Sequence, residues 1–121
     1  MKRDIELIKA ILEHFEVKGD WEYEVDVQIE GYDNKIVSYH IQIMYEAGLI
    51  NGEAVTSNTG RIYAVIPFRL TWLGHEFHDN IKDKSRWEKI KDIIISKGGN
   101  FSIELIKNLA IKIAEQQLLD K

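Results

Sequence analysis

At 121 residues, with 45% hydrophobic and 30% charged side chains, the chain has the size and composition of one globular domain. The absence of cysteine excludes disulfides, thiolate metal sites and a cysteine nucleophile. The net charge of −4 argues against general coating of nucleic acid but hides an uneven distribution: residues 1–30 hold four Lys+Arg against nine Asp+Glu, whereas residues 61–97 hold eight against five.

Residues 1–16 break their apolar positions with charges, and no run approaches the roughly 20 apolar residues of a membrane span. A cytoplasmic protein with no membrane association is therefore expected.

The first helix is expected over residues 4–16, capped by Asp4, with Ile5, Ile8, Leu12 and Phe15 on one face and Gly19 at its exit. WEYEVDVQI (21–29) then alternates Trp21, Tyr23, Val25, Val27 and Ile29 with Glu22, Glu24, Asp26 and Gln28, which predicts a half-buried strand within 23–29. Its acidic row would blunt an exposed edge. Asp33 suits the cap of a helix over 34–47, in which Val37, Ile41 and Met44 share a face with His40 beside them. His40 reads as a core-edge histidine held by a backbone carbonyl, and His14 as a surface residue.

Short and longer strands are expected at 54–56 and within 61–70, joined by Ser57-Asn58-Thr59-Gly60, with Pro67 at a bulge or beyond its partner's end. Thr71 should cap a helix over 72–81. Ser85 and Glu88 form a capping-box pattern for a helix over 86–97, Gly98-Gly99 stops it, and Ser102 caps a last helix over 102–118.

This order of helix, strand, helix, hairpin and helix is that of an α+β winged helix with additional C-terminal helices. SYHIQIMYEAGLI (38–50) resembles the recognition helix and exit of winged-helix regulators. Over nearly the whole chain, MKRDIELIKAIL, YHIQIMYEAGLI, RLTWLGHEFHDNIKDKSRWEKIK and FSIELIKNLAIKI resemble the YjcQ-like domain-of-unknown-function family of short bacterial and prophage proteins. The resemblance implies a winged-helix core, here residues 1–84, with residues 85–121 as a helical extension packed on it rather than an independent domain. It implies no reaction, cofactor or ligand. One departure stands out: where a helix-turn-helix has a positioning helix, this chain has the VDVQI segment and the IEGYD turn.

For double-stranded DNA, the candidate residues are Lys35, Ser38, Tyr39 and Gln42 on the 34–47 helix and Arg61 beside the hairpin turn. Ser38 and Gln42 have the chemistry for base edges, and Lys35, Tyr39 and Arg61 that for phosphate or a narrow groove. An ordinary solvated helix face accounts for the same residues. KDKSRWEKIK (82–91) is a second basic stretch, diluted by Asp83 and Glu88, and reads first as solvated surface.

His75, His78 and Asp79 have some metal-ligand character, but HEFHD lacks the zinc-protease spacing and no third ligand is indicated. No metal, cofactor, small-molecule ligand or catalytic centre is expected. The last helix spreads Leu105, Ile111, Ala114, Leu118 and Leu119 beyond its main stripe, which raises a homodimer through this helix, with intramolecular cover as the alternative. The reading is a small DNA-associated transcription regulator of prophage type; the alternative is a protein–protein interaction module that has lost its DNA surface.

Overall fold

Asp4 starts the first element by chemistry local to the helix end: its carboxylate accepts from the amides of Glu6 and Leu7 at 2.9 and 3.3 Å. The computed structural model describes residues 1–119; positions 120 and 121, the end of the expected extension, lie outside the described residues. Among the described residues the chain is an α+β protein with five helices and one two-stranded antiparallel sheet. The order is α1 (Ile5–Val17), α2 (Asn34–Glu46), β1 (Ile50–Thr56), β2 (Ile62–Leu70), α3 (Trp72–Ile81), α4 (Lys84–Ser96) and α5 (Ile103–Leu119). Two compact units divide the chain, Met1–His75 and Glu76–Lys121. No described helix is long and apolar enough to cross a membrane.

In the first unit, α1 buries Leu7, Ile8, Ile11, Leu12 and Phe15, and α2 buries Val37, His40, Ile41 and Met44. These stripes follow the 3.6-residue period of the sequence, and the two helices pack on each other and on β2. Gly19, the expected exit of α1, keeps an ordinary φ, and the helix stops instead where Lys18 turns extended. The Lys18 ammonium then bonds the carbonyl of Phe68 at 3.0 Å and that of Glu22. Gly48 does end α2, at φ +79°, returning Leu49 and Ile50 to the core.

The sheet pairs Ile50 with Leu70 at one end and Thr56 with Ile62 at the other, with irregularities at Asn51/Gly52 and Val55/Thr56. Pro67 lies beside the first irregularity, as its missing N–H requires. The Ser57–Arg61 bond (N to O, 2.9 Å) closes the hairpin, and Gly60 supplies the positive φ of +82°. Thr71 caps α3 by accepting from the Gly74 amide at 3.0 Å. Its own amide donates to Leu49 O at 3.0 Å and its hydroxyl to Gly48 O. α3 therefore begins against the end of α2, and the approach is close: a Cβ on Gly74 would lie 2.1 Å from Leu49 O. Only glycine fits there.

The strand expected within 23–29 does not form. The segment makes one main-chain bond to the sheet, from Glu24 N–H to Pro67 O at 2.9 Å, and bends at Val25-Asp26. A residue's N–H and C=O point to the same edge of a strand, so Pro67 offers a carbonyl but no reciprocal donor, and the pairing is left at this single bond. Val27 is buried, yet Trp21, Tyr23 and Val25 remain 75%, 55% and 83% exposed. The alternation of the sequence therefore does not correspond to burial of its apolar row.

In the second unit, α4 and α5 pack on each other through Trp87, Ile90 and Ile94 on one helix and Ile106, Ala110 and Ile113 on the other. The Ser85–Glu88 capping box is also corrected. Asp83 caps α4 two residues earlier, accepting from Arg86 N–H at 2.7 Å, which leaves Ser85 inside the first turn. A carboxylate at the helix start is a strong acceptor aligned with the helix dipole. Gly98 and Gly99, both at positive φ, stop α4, and Ser102 caps α5 by accepting from Leu105 N–H at 3.0 Å.

His40 joins α2 to the start of α1. Its ring is fully buried, with Nδ1 2.8 Å from Ile36 O and Nε2 2.8 Å from the amide of Asp4. A main-chain N–H can only donate, so Nε2 is the acceptor and Nδ1–H donates to the helix carbonyl. The expected backbone carbonyl is present, and the second bond makes the ring a joint between helices. His40→Leu fills the site with an apolar side chain and leaves Ile36 O its helical partner, but it strands the Asp4 amide, which should cost about 1–3 kcal/mol in a urea titration. A loss below about 0.5 kcal/mol would show that the ring is not the joint.

Candidate nucleic-acid interface

The phase imposed by that buried face decides what α2 presents outward. Lys35 and Ser38 are exposed, and so are Asn34 and Glu46; Tyr39 and Gln42 are half-buried. Four of the five candidate residues thus share the outer side of one helix. Arg61 is exposed at the end of the β1–β2 turn, carried by the hairpin rather than the helix. Arg61 and Lys35 are the only cations between residues 31 and 68.

No helix occupies residues 18–33, so the positioning helix of a helix-turn-helix is absent, as the sequence departure implied. Asp33 precedes α2 and accepts from Lys35 N–H at 2.8 Å. Its carboxylate thereby fills the place at a helix N-terminus where a phosphate oxygen would otherwise bind. Tyr32, just before it, has its phenol pKa raised by burial and then by the Asp4 and Glu6 carboxylates.

One feature of the site was not expected. A crevice of about 330 Å³, counting its open mouth, runs between residues 24–27 and the first turns of α2, with Val65 and Pro67 in its wall. Asn34 and Ser38 line it together with Glu24 and Asp26. Two acidic residues therefore share a crevice with the best base-reading candidate. The Glu24 carboxylate is held 2.7 Å from His14 Nε2, so His14 is a partner of this segment and not merely a surface residue. The acidic row was visible in the sequence, but a strand with that row turned outward to solvent would not have brought it to α2.

The other sequence candidates go elsewhere. His75 is exposed and its Nδ1 lies 2.8 Å from Glu16, whereas His78 is buried. Asp79 pairs with Lys82 at 3.3 Å. In the basic stretch, Arg86 turns its guanidinium back to Asn80 O at 3.1 Å, and Lys91 pairs with Glu88 at 3.2 Å. Those two cations are spent locally.

The family described as "Hypothetical protein (DUF2513)" matches residues 2–100. The chain belongs to this family. A Haemophilus influenzae relative carrying the description "Uncharacterized protein" is 34% identical over 119 residues, covering 98% of this chain and 99% of its own. No solved structure matches. The DUF2513 match takes in all of α1, α2, the hairpin, α3 and α4 and ends before α5, so every residue of the candidate interface lies within it.

Proposed function

We propose that this DUF2513 chain is a small DNA-associated transcription regulator of winged-helix type, acting in the cytoplasm, with α2 as the reading helix and the β1–β2 hairpin as the wing. The observation that carries the reading is the joint display of Lys35, Ser38 and Gln42 on the outer side of α2 with Arg61 at the hairpin turn. A helix flanked by a hairpin can enter a major groove while the hairpin follows the adjacent backbone. The short-protein resemblance of the sequence to YjcQ-like and prophage winged helices belongs to the same proposal.

The roles divide by chemistry. Ser38→Ala with Gln42→Ala should flatten sequence preference, by about 1–3 kcal/mol per lost base contact, without abolishing binding. Lys35→Gln or Arg61→Gln should weaken all sequences alike and lower the salt slope by about one each. Fluorescence anisotropy against matched and scrambled duplexes at several salt concentrations checks this. Unchanged preference after the Ser38/Gln42 change would remove α2 from the reading role.

A second reading is favoured by Glu24 and Asp26, acidic residues that line one crevice with Ser38 and would repel phosphate. On that reading the same fold is a protein–protein interaction module. Both accommodate a homodimer through α5, because Ile111 and Leu118 are exposed and not part of the α4–α5 core. Ile111→Glu with Leu118→Glu should then give a folded monomer, followed by sedimentation velocity and circular dichroism. A wild-type chain that is monomeric at all concentrations would end the dimer proposal.

A further inference from the structure

Residues 21–26 combine three properties that rarely occur together. Their sequence has the strict alternation of a strand, they are left outside the sheet, and their apolar members face solvent. The segment is nevertheless anchored on one side. Glu24 is tied by its N–H to Pro67 O and by its carboxylate to His14, and the carbonyl of Glu22 accepts from Lys18. Glu22 N–H is held by Asp20, whose carboxyl pKa is lowered first by that bond and then by Lys18. The Tyr23 ring is set edge-on against Phe68 at 5.1 Å. By contrast, the main-chain N–H groups of Trp21, Tyr23 and Val25 have no protein partner among the described residues. One edge is fixed and the other is open.

We propose that residues 21–26 are a docking edge for an extended, cationic segment of a partner protein, which adds as a strand and alternates Lys or Arg with apolar residues. The open main-chain groups supply the ladder, Trp21 and Val25 supply exposed apolar surface, and the acidic row selects the partner's charge. Charge decides among the occupants. Residues 19–30 hold Asp20, Glu22, Glu24, Asp26 and Glu30 and no Lys or Arg. A second copy of the same segment would set carboxylates opposite carboxylates, which is destabilising in a strand pair. A phosphate backbone is repelled by the same row. A strand bearing Lys or Arg at alternate positions meets opposite charges on one face and Trp21 and Val25 on the other. The edge adjoins the crevice that Asn34 and Ser38 line, and docking there does not require DNA to be bound.

The test uses the full chain and three synthetic peptides of about eight residues: arginine alternating with valine, glutamate alternating with valine, and the arginine–valine composition in two blocks. Amide-resolved NMR should show the alternating arginine peptide binding in a salt-sensitive way and slowing hydrogen exchange at Trp21, Tyr23 and Val25. It should bind roughly tenfold more tightly than either control, the effect of a few cross-strand charge pairs. The exposed double change Glu22→Lys with Asp26→Lys should reverse the order, favouring the glutamate peptide, while circular dichroism stays that of the wild type. Equal binding of the alternating and block peptides would overturn the proposal. So would binding without protection at those amides, failure of the charge change to reverse the preference, or pairing of this segment between two copies of the chain.

Discussion

A single buried imidazole sets the geometry on which the first unit depends. His40 accepts the amide of Asp4 on one side and donates to Ile36 O on the other, so α2 is locked in rotation against the capped start of α1. Asp4 serves both contacts, its carboxylate capping α1 while its amide donates to the ring. Rotating α2 by one residue would expose Val37 or Met44 and bury Ser38. The outward display of Lys35 and Ser38 therefore follows from burying this ring together with Val37, Ile41 and Met44. Gly74 completes the constraint at the other end of α2, where a missing Cβ lets α3 begin against Leu49.

Helices were legible in the sequence because both their faces and their ends carry independent signals. The α1 and α2 stripes, and the caps at Asp4, Asp33, Thr71 and Ser102, are read from spacing and oxygen-bearing side chains alone. At α4 two such oxygens compete within three residues, and periodicity could not choose between Asp83 and Ser85. The 21–29 segment failed for a different reason. Alternation describes the two faces of one chain, but a strand needs a partner edge, and Pro67 lacks the donor at the one main-chain bond to the sheet found among the described residues. The candidate site inherited that failure, since the approach of Glu24 and Asp26 to Ser38 follows from the segment leaving the sheet.

The resulting surface is divided. The outer side of α2 and the hairpin turn carry the few cations of the first unit's middle, whereas residues 19–30 are wholly anionic. A nucleic-acid binder gains specificity from such a division when the anionic part is turned aside, because it penalises misplaced backbone contacts. An interaction module gains a charge-selective edge from the same residues. The two surfaces adjoin at the crevice that Asp26 and Ser38 line, so a partner segment beside Glu22 and Asp26 would sit next to DNA on α2.

The most direct measurement for the nucleic-acid account is an unbiased selection of duplex DNA on the purified full chain, followed by affinity against salt for the enriched sequence. The account predicts enrichment of a defined sequence and a log–log slope corresponding to a few phosphate contacts, as two exposed cations beside a reading helix would give. No enrichment by the folded protein, and no salt-sensitive binding at concentrations well above about 10⁻⁴ M, would contradict it and leave the acidic edge as the functional surface.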